Sequence, residues 1–521
     1  MRWEFPEEPT KPDLNVVRRL RAGSKFYVFL WKIRAQLFTP EFQDELAAVY
    51  MPRGQRPIPP AQMAMVWLLQ AYTGLGDQNA VEQAVFDLRW QLVLGTLGAD
   101  EAPFGQGSLP RFRARMIEHD LDQRLVDRTV ELARSTGLFG WRNLRGALDS
   151  SPLRGAGRIE DTWNLLGRAI GNLVSAVASS TSRTVDQLVT EVGLTVLGGT
   201  SLKSLLDIDW DDSAAREGAF RRLVDEAATL QTWIEVRDEV DACSPPVDGA
   251  LTDLRRVLEQ DTEPDPDGPG LRIRRGVARD RMPSIGDREM RHGRKSKSKL
   301  FNGYKRHIGL IEGAGLIAGA IALPANVAEH VATEHLIQAI RTHGRLDGLD
   351  IDRGYLGSPE IPKLDAEGVD VRCKPWPSRN GGRFPKTTFG IDLGKAQVTC
   401  PAEQVVPIRT SSKGNRAARF PKASCQPCHL RDQCTRSKTG RTIQIHRHEE
   451  LLQRLRATRD TEEGRVALRD RVAVEHGLAR VQLKQGGIAR YKGARKNTMD
   501  LRRYAALNNL YAVERHLRLA A

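Results

Sequence analysis

The chain has 521 residues, a formal net charge of +14 and a pI of about 9.6. A hydrophobic fraction of 40% is enough for a real core, and the length calls for roughly two to four domains. The basic balance suits a polyanion, and no apolar run is long enough to span a membrane. The first residues lack the basic-then-apolar pattern of a signal peptide. The expectation is a cytoplasmic protein close to nucleic acid, with no membrane partner.

Residues 1–140 read as an all-helical domain. Apolar residues recur at helical spacing over 40–50, and 60–72 is apolar nearly all round, as in a buried helix. A capped helix follows at 77–88. The segment 108–116 opens with Ser108 and an early proline, and Arg111, Arg113 and Arg115 fall in its first turns. Short helices ending in an arginine-rich one suit insertion into a DNA groove.

At Gly146-Ala-Leu-Asp149-Ser-Ser-Pro152 a strand-like segment delivers Asp149 to a turn; residues 141–159 form this unit. Residues 160–270 read as a helical insert closed by a linker at 261–270. Within the insert, Leu206 to Asp212 superficially resembles a calcium loop. An EF-hand would need Gly at Asp212 and Glu at Gly218, so the run reads as a solvated turn and helix start.

From 271 to 390 the pattern turns basic and β-like. Lys295, Lys297 and Lys299 lead into a strand over 301–311 that carries Lys305. A hairpin partner spans 315–322 and a helix spans 325–340. The stretch Gly348 to Asp352 alternates as a strand and ends in a carboxylate, before a helix entry at Gly357-Ser-Pro. Another strand follows at 369–374. Strands and helices in this order imply an α/β fold on a mixed sheet with flanking helices. Residues 391–448 hold Cys400, Cys425, Cys428 and Cys434; a cluster of four in a reducing compartment points to metal rather than disulfides. Residues 449–521 begin with a long helical stretch to about 483 that contains Glu475. A basic and aromatic run with Arg490, Tyr491 and Lys492 leads to a last helix over 500–519.

Asp149, Asp352 and Glu475 stand out as carboxylates, two at strand ends and one within a helix. Phosphodiester hydrolysis and transesterification use two divalent ions about 4 Å apart. Such hard cations take oxygen ligands. Spacing alone is a weak signal among 65 acidic residues. The surrounding motifs are more specific: Leu148-Asp149-Ser150, Gly303-Tyr304-Lys305-Arg306-His307, Leu323-Pro324-Ala325-Asn326, Asp352-Arg353-Gly354-Tyr355, Arg471-x-x-x-Glu475 and Asn508-Asn509. Together they resemble the DDE transposases of bacterial insertion sequences.

The resemblance implies a ribonuclease-H-like core after a helical DNA-end-binding domain, with Asp149, Asp352 and Glu475 as catalytic ligands of two Mg²⁺ ions, or of Mn²⁺ in their place. It implies double-stranded DNA partners, the terminal inverted repeats and the target. It also implies a homodimer that pairs two ends, and nucleoid association. Arg471 and Lys484 join the residues above as expected DNA contacts, and Tyr491 is expected to stack on an unpaired base. The cysteine segment resembles a zinc-knuckle insert of some members: Cys425-x-x-Cys428, with Cys400 and Cys434, would hold a structural Zn²⁺. His429, His446 and His448 are spare ligands.

The pattern departs from the family in places. Leu468 stands where Tyr is common, Gln482 where a basic residue is expected seven beyond the Glu, and Glu403 where the first knuckle has Gly. Asp287 is a rival to Asp149. Two other readings compete: a nuclease of the same fold that cuts without joining, and a domesticated DNA-binding protein without catalysis.

Overall fold

The computed structural model describes residues 2–51, 58–141, 143–195, 202–296, 298–412, 414–469 and 471–520, apart from the side chains of 203 and 204. Lys297 lies outside the described residues. The first part of the chain is helical, with helices at Lys11–Arg19, Lys25–Leu37, Pro40–Ala48, Pro60–Thr73, Asp77–Phe86, Leu88–Leu94, Ser108–Glu118 and Leu121–Ser135. Pro60–Thr73 is buried on nearly every side, which explains its lack of a polar face.

Strand β1 (Leu144–Arg154) then enters the sheet. An insert follows, with helices Thr162–Ser180, Val185–Val192, Leu202–Leu206, Ser213–Glu235 and Pro245–Asp261. It has its own core around Trp163, Phe220, Leu230 and Leu254. Asp212 caps Ser213–Glu235 by accepting from the Ala214 amide. The expected linker at 261–270 is instead a tight ribbon, β2 (Thr262–Pro264) against β3 (Leu271–Ile273). The main sheet resumes with β4 (Arg291–Arg294), β5 (Leu300–Ile311), β6 (Leu316–Pro324), β7 (Leu346–Ile351) and β8 (Asp370–Cys373).

The sheet order is β6–β5–β1–β7–β8, with β4 continuing the ladder on the first residues of β5. β5 is antiparallel to β1 and β6, whereas β7 is parallel to β1 and β8 to β7. The helix expected over 325–340 is shorter: a turn and a single 3₁₀ turn at Glu329–Ala332 precede Thr333–Arg341. A second sheet of five strands meanders through the cysteine region: β9 (Gly390–Asp392), β10 (Gln397–Thr399), β11 (Val405–Thr410), β12 (Arg416–Arg419) and β13 (Thr442–Ile445). Phe389, Val398, Phe420 and Ile443 form its separate core. The long helical stretch after residue 448 is three helices, Glu449–Asp460, Glu462–Ala467 and Val472–Gln485.

The last helix, Ala494–Ala520, ties these parts together. It packs on β6, on Leu121–Ser135 and on Pro60–Thr73. One continuous core therefore runs from Trp3 through the sheet to Val513. Each large apolar side chain it buries stabilises the fold by about 1.5–3 kcal/mol. Asn509 treats the edge strand β6 as a neighbouring strand would. Its Oδ1 accepts from the Ile317 amide at 2.7 Å, and its Nδ2 donates to the Ile317 carbonyl at 2.8 Å and to Thr129 Oγ1 at 2.9 Å. Fully buried Asp122 pairs with Arg495 at 2.7 Å and Arg502 at 3.2 Å of the same helix. Among the described residues no helix is long and apolar enough to cross a membrane.

Candidate functional site

The parallel register sets Leu148 beside Ile351, so Asp149 and Asp352 leave neighbouring strands one residue further on. Asp352 does end its strand, and its Oδ1 accepts from the Arg353 amide at 2.8 Å to cap the turn Arg353–Tyr355. Asp149 does not: Ser-Ser-Pro continues β1, with Ser150 opposite His307 and Pro152 opposite Lys305. Pro152 fits because its carbonyl, not an N–H, is what is used there, accepting from Arg306 Nη2 at 2.8 Å. Glu475 comes from the first turn of Val472–Gln485.

Arg471, at the N-cap of that helix, gathers all three carboxylates. Its Nη2 lies 3.3 Å from Asp149 Oδ1 and 3.6 Å from Glu475 Oε1, and its Nη1 lies 3.4 Å from Asp352 Oδ1. The three acids line a cavity of about 480 Å³ that Arg294, Lys295 and Lys305 also line. Burial pushes the Asp149 carboxyl up to about 6, against the pull of Arg471 and the Ser150 amide, and the charges of Glu475 and Asp352 push it further.

Gln482 lines the same cavity, whereas Lys484 is on the far side of the helix, its Nζ 5.6 Å and 5.5 Å from the ring centres of Tyr72 and Tyr511. A helix turns about 100° per residue. A position seven beyond Glu475 returns to its face, and one nine beyond points about 180° away. Lys484 therefore does not stand in for the missing basic residue at Gln482.

The other expected contacts scatter. Arg113 is held by Asp77 through two bonds of 2.8 and 2.6 Å and lies over the half-buried Tyr491 ring, so both face inward. Arg115 lies over Tyr50, while Arg111, Lys299 and Lys492 are exposed. Exposed Arg490 donates to the Gly74 carbonyl at 3.3 Å, and Lys305 Nζ donates to the Val327 carbonyl at 3.0 Å. Asp287 lies outside the cavity. Buried, it accepts from Tyr304 and from the Gly493 amide and so anchors the start of the last helix.

In the second sheet, Cys400, Cys425, Cys428 and Cys434 line one cavity of about 30 Å³. Burial pushes the Cys434 thiol up, Arg441 opposes this, and the other three sulfurs reinforce it. Glu403 adopts the left-handed conformation (φ 59°) in the turn after Cys400, a place where glycine would sit without strain. His446 accepts from the His448 amide, and His448 precedes a helix. Among the described residues, no group of three or more His, Cys, Asp or Glu side chains is arranged to hold a metal ion. For the carboxylates the reason is visible: a guanidinium already stands between them.

A family model described as a transposase DDE domain matches residues 399–513, and a second, described as a transposase domain (DUF772), matches residues 21–115. Both matches are to transposase domains, and together they support an insertion-sequence DDE transposase. The first match holds the cysteines, Arg471 and Glu475, and the second holds the helices up to Arg115; Asp149 and Asp352 fall outside both spans. Comparisons with curated proteins and with solved structures found no match. Transposases act on DNA, and the basic charge of this one accords with that.

Sequence reasoning missed Glu329, which also lines the transposase's carboxylate cavity. It lies 180 positions from Asp149 (149 to 329) in a turn without a motif of its own. The helical phase that puts Gln482 rather than Lys484 beside Glu475 was, by contrast, available from counting.

Proposed function

We propose that the transposase cuts DNA at the ends of its element and joins the freed 3′ ends to target DNA, with Asp149, Asp352 and Glu475 as the ligands of two Mg²⁺ ions. The observation that carries this is the convergence of the three carboxylates, from two adjacent strands and a returning helix, on one cationic group. Their hard oxygens suit the same divalent ions. When bound, such ions supply a polarised water or 3′-hydroxyl and a Lewis acid at the leaving oxygen. Arg471 then turns its guanidinium to phosphate, and Arg294, Lys295 and Lys305 neutralise the strand that enters the cavity. The strand order β6–β5–β1–β7–β8, antiparallel in its first half and parallel in its second, supports a ribonuclease-H-like core. Pairing two ends calls for two copies of the chain.

A labelled duplex bearing the element's own end, incubated with Mg²⁺ or Mn²⁺, tests this reading. Wild type should nick at the end and join it to a second duplex. Asp352→Ala and Glu475→Ala should bind the end and do neither. Equal cleavage in all three would mean that other carboxylates do the work. Cleavage without joining would favour a nuclease.

The four cysteines that line one cavity would be the donor set for a structural Zn²⁺, which would draw the sulfurs together and displace their protons. About one zinc per chain is expected by elemental analysis. Cys428→Ser should lose it and expose the second sheet to protease. Full-length protein without zinc, equally resistant, would argue against the site.

A further inference from the structure

Glu329 occupies a junction that the three carboxylates depend on. Its Oε1 accepts from Ser150 Oγ at 2.7 Å, and Ser150 directly follows Asp149. Its other oxygen packs on the Cα of Gly354, two residues past Asp352: a Cβ built on Gly354 would lie 1.7 Å from Glu329 Oε2. Gly354 sits in a 3₁₀ turn that any residue can adopt, so the backbone does not require glycine there. What requires it is the space filled by the Glu329 carboxylate.

The floor beneath is polar and closed. Tyr355 is fully buried with its hydroxyl 2.9 Å from His307 Nδ1, and His307 lies opposite Ser150 in the β1–β5 ladder. Burial pushes the Tyr355 phenol up, and the charges of Glu329 and Asp149 push it further. Burial likewise holds His307 neutral, pushed down to about 3. The hydrogen-bond partner of Glu329 is the Ser150 hydroxyl, and its other oxygen packs on a backbone turn.

We infer that Glu329 is a positioning residue for the cleavage reaction: it fastens the residue after Asp149 to the turn after Asp352 and so fixes the separation of the two aspartates. The inference rests on the two-ion reading above. Residues that orient metal ligands from behind typically change metal affinity or activity by about 10- to 100-fold. Unlike a ligand, a fastening residue needs its length and its acceptor oxygen, not its charge.

The test uses full-length protein with an end duplex and two readouts, end cleavage and Mn²⁺ affinity followed by electron paramagnetic resonance of the free ion. Glu329→Ala should bind the end as wild type does, weaken Mn²⁺ binding by about tenfold and slow cleavage by roughly ten- to hundredfold. Glu329→Gln, which keeps length and acceptor, should recover most of both losses. Gly354→Ala should mimic Glu329→Ala, and the double variant should be no worse than the poorer single one, because both changes break the same contact. If Gln falls as far as Ala, the charge itself acts and the positioning role is wrong. Losses that multiply in the double variant would also overturn it, as would an Ala variant with wild-type Mn²⁺ affinity. A wild type that neither cleaves nor binds Mn²⁺ would sink the two-ion reading, and this inference with it. A wild type that does both beside an unchanged Glu329→Ala would sink this inference alone.

Discussion

At pH 8, without metal or DNA, Asp149→Asn should unfold at a higher temperature than wild type while its end cleavage falls below detection. Burial raises the folded-state pKa of Asp149 from 3.8 to about 6. The folded chain thus holds that proton more tightly than the unfolded chain. The stability this gives is complete below the unfolded value and is lost as pH rises through about 6. Above that, the ionised carboxylate costs about 3 kcal/mol, and an amide of the same shape does not carry that cost. The gain should therefore vanish in melts near pH 4. Added to the complex with an end duplex, Mn²⁺ should raise the melting temperature of wild type further and leave that of the variant unchanged, because the variant lacks one of the proposed ligands. An Asn variant less stable than wild type at pH 8 would mean that the Arg471 pairing outweighs the burial.

The second large effect lies far from the cavity. Asp122→Ala leaves Arg495 and Arg502 facing an apolar replacement at a site with no exposure. Removing one member of such a buried network typically destabilises by about 3–5 kcal/mol. Asp120, which also pairs with both arginines but is largely exposed, should matter much less when changed. Chemical denaturation of the two variants measures the contrast, and equal midpoints would show that the exposed partner carries the junction.

Asp352 was legible because two local signals agreed, a short apolar strand and a capped turn after it. Even there the alternation misled. Asp350 alternates with the apolar residues of that strand, yet it is 1% exposed and paired with Arg145 at 3.1 Å, since a strand with parallel neighbours on both sides is covered on both faces. Asp149 was found by its context, but Ser-Ser-Pro reads as a turn unless the partner strand is known. Arg113 looked like a groove contact because its acceptor, Asp77, lies on another helix. Local patterns carried the helices of the first 135 residues and most of the main-sheet strands. What they could not carry was pairing between distant segments: Glu329 with Ser150 and Asn509 with Ile317.

The helix Ala494–Ala520 seals the edge strand β6, seats the N-terminal helices and lies beside Val472–Gln485, which bears Glu475. A chain cut before residue 494 would keep all three acids in its sequence but would bare the edge of β6 and leave the Glu475 helix without one of its supports.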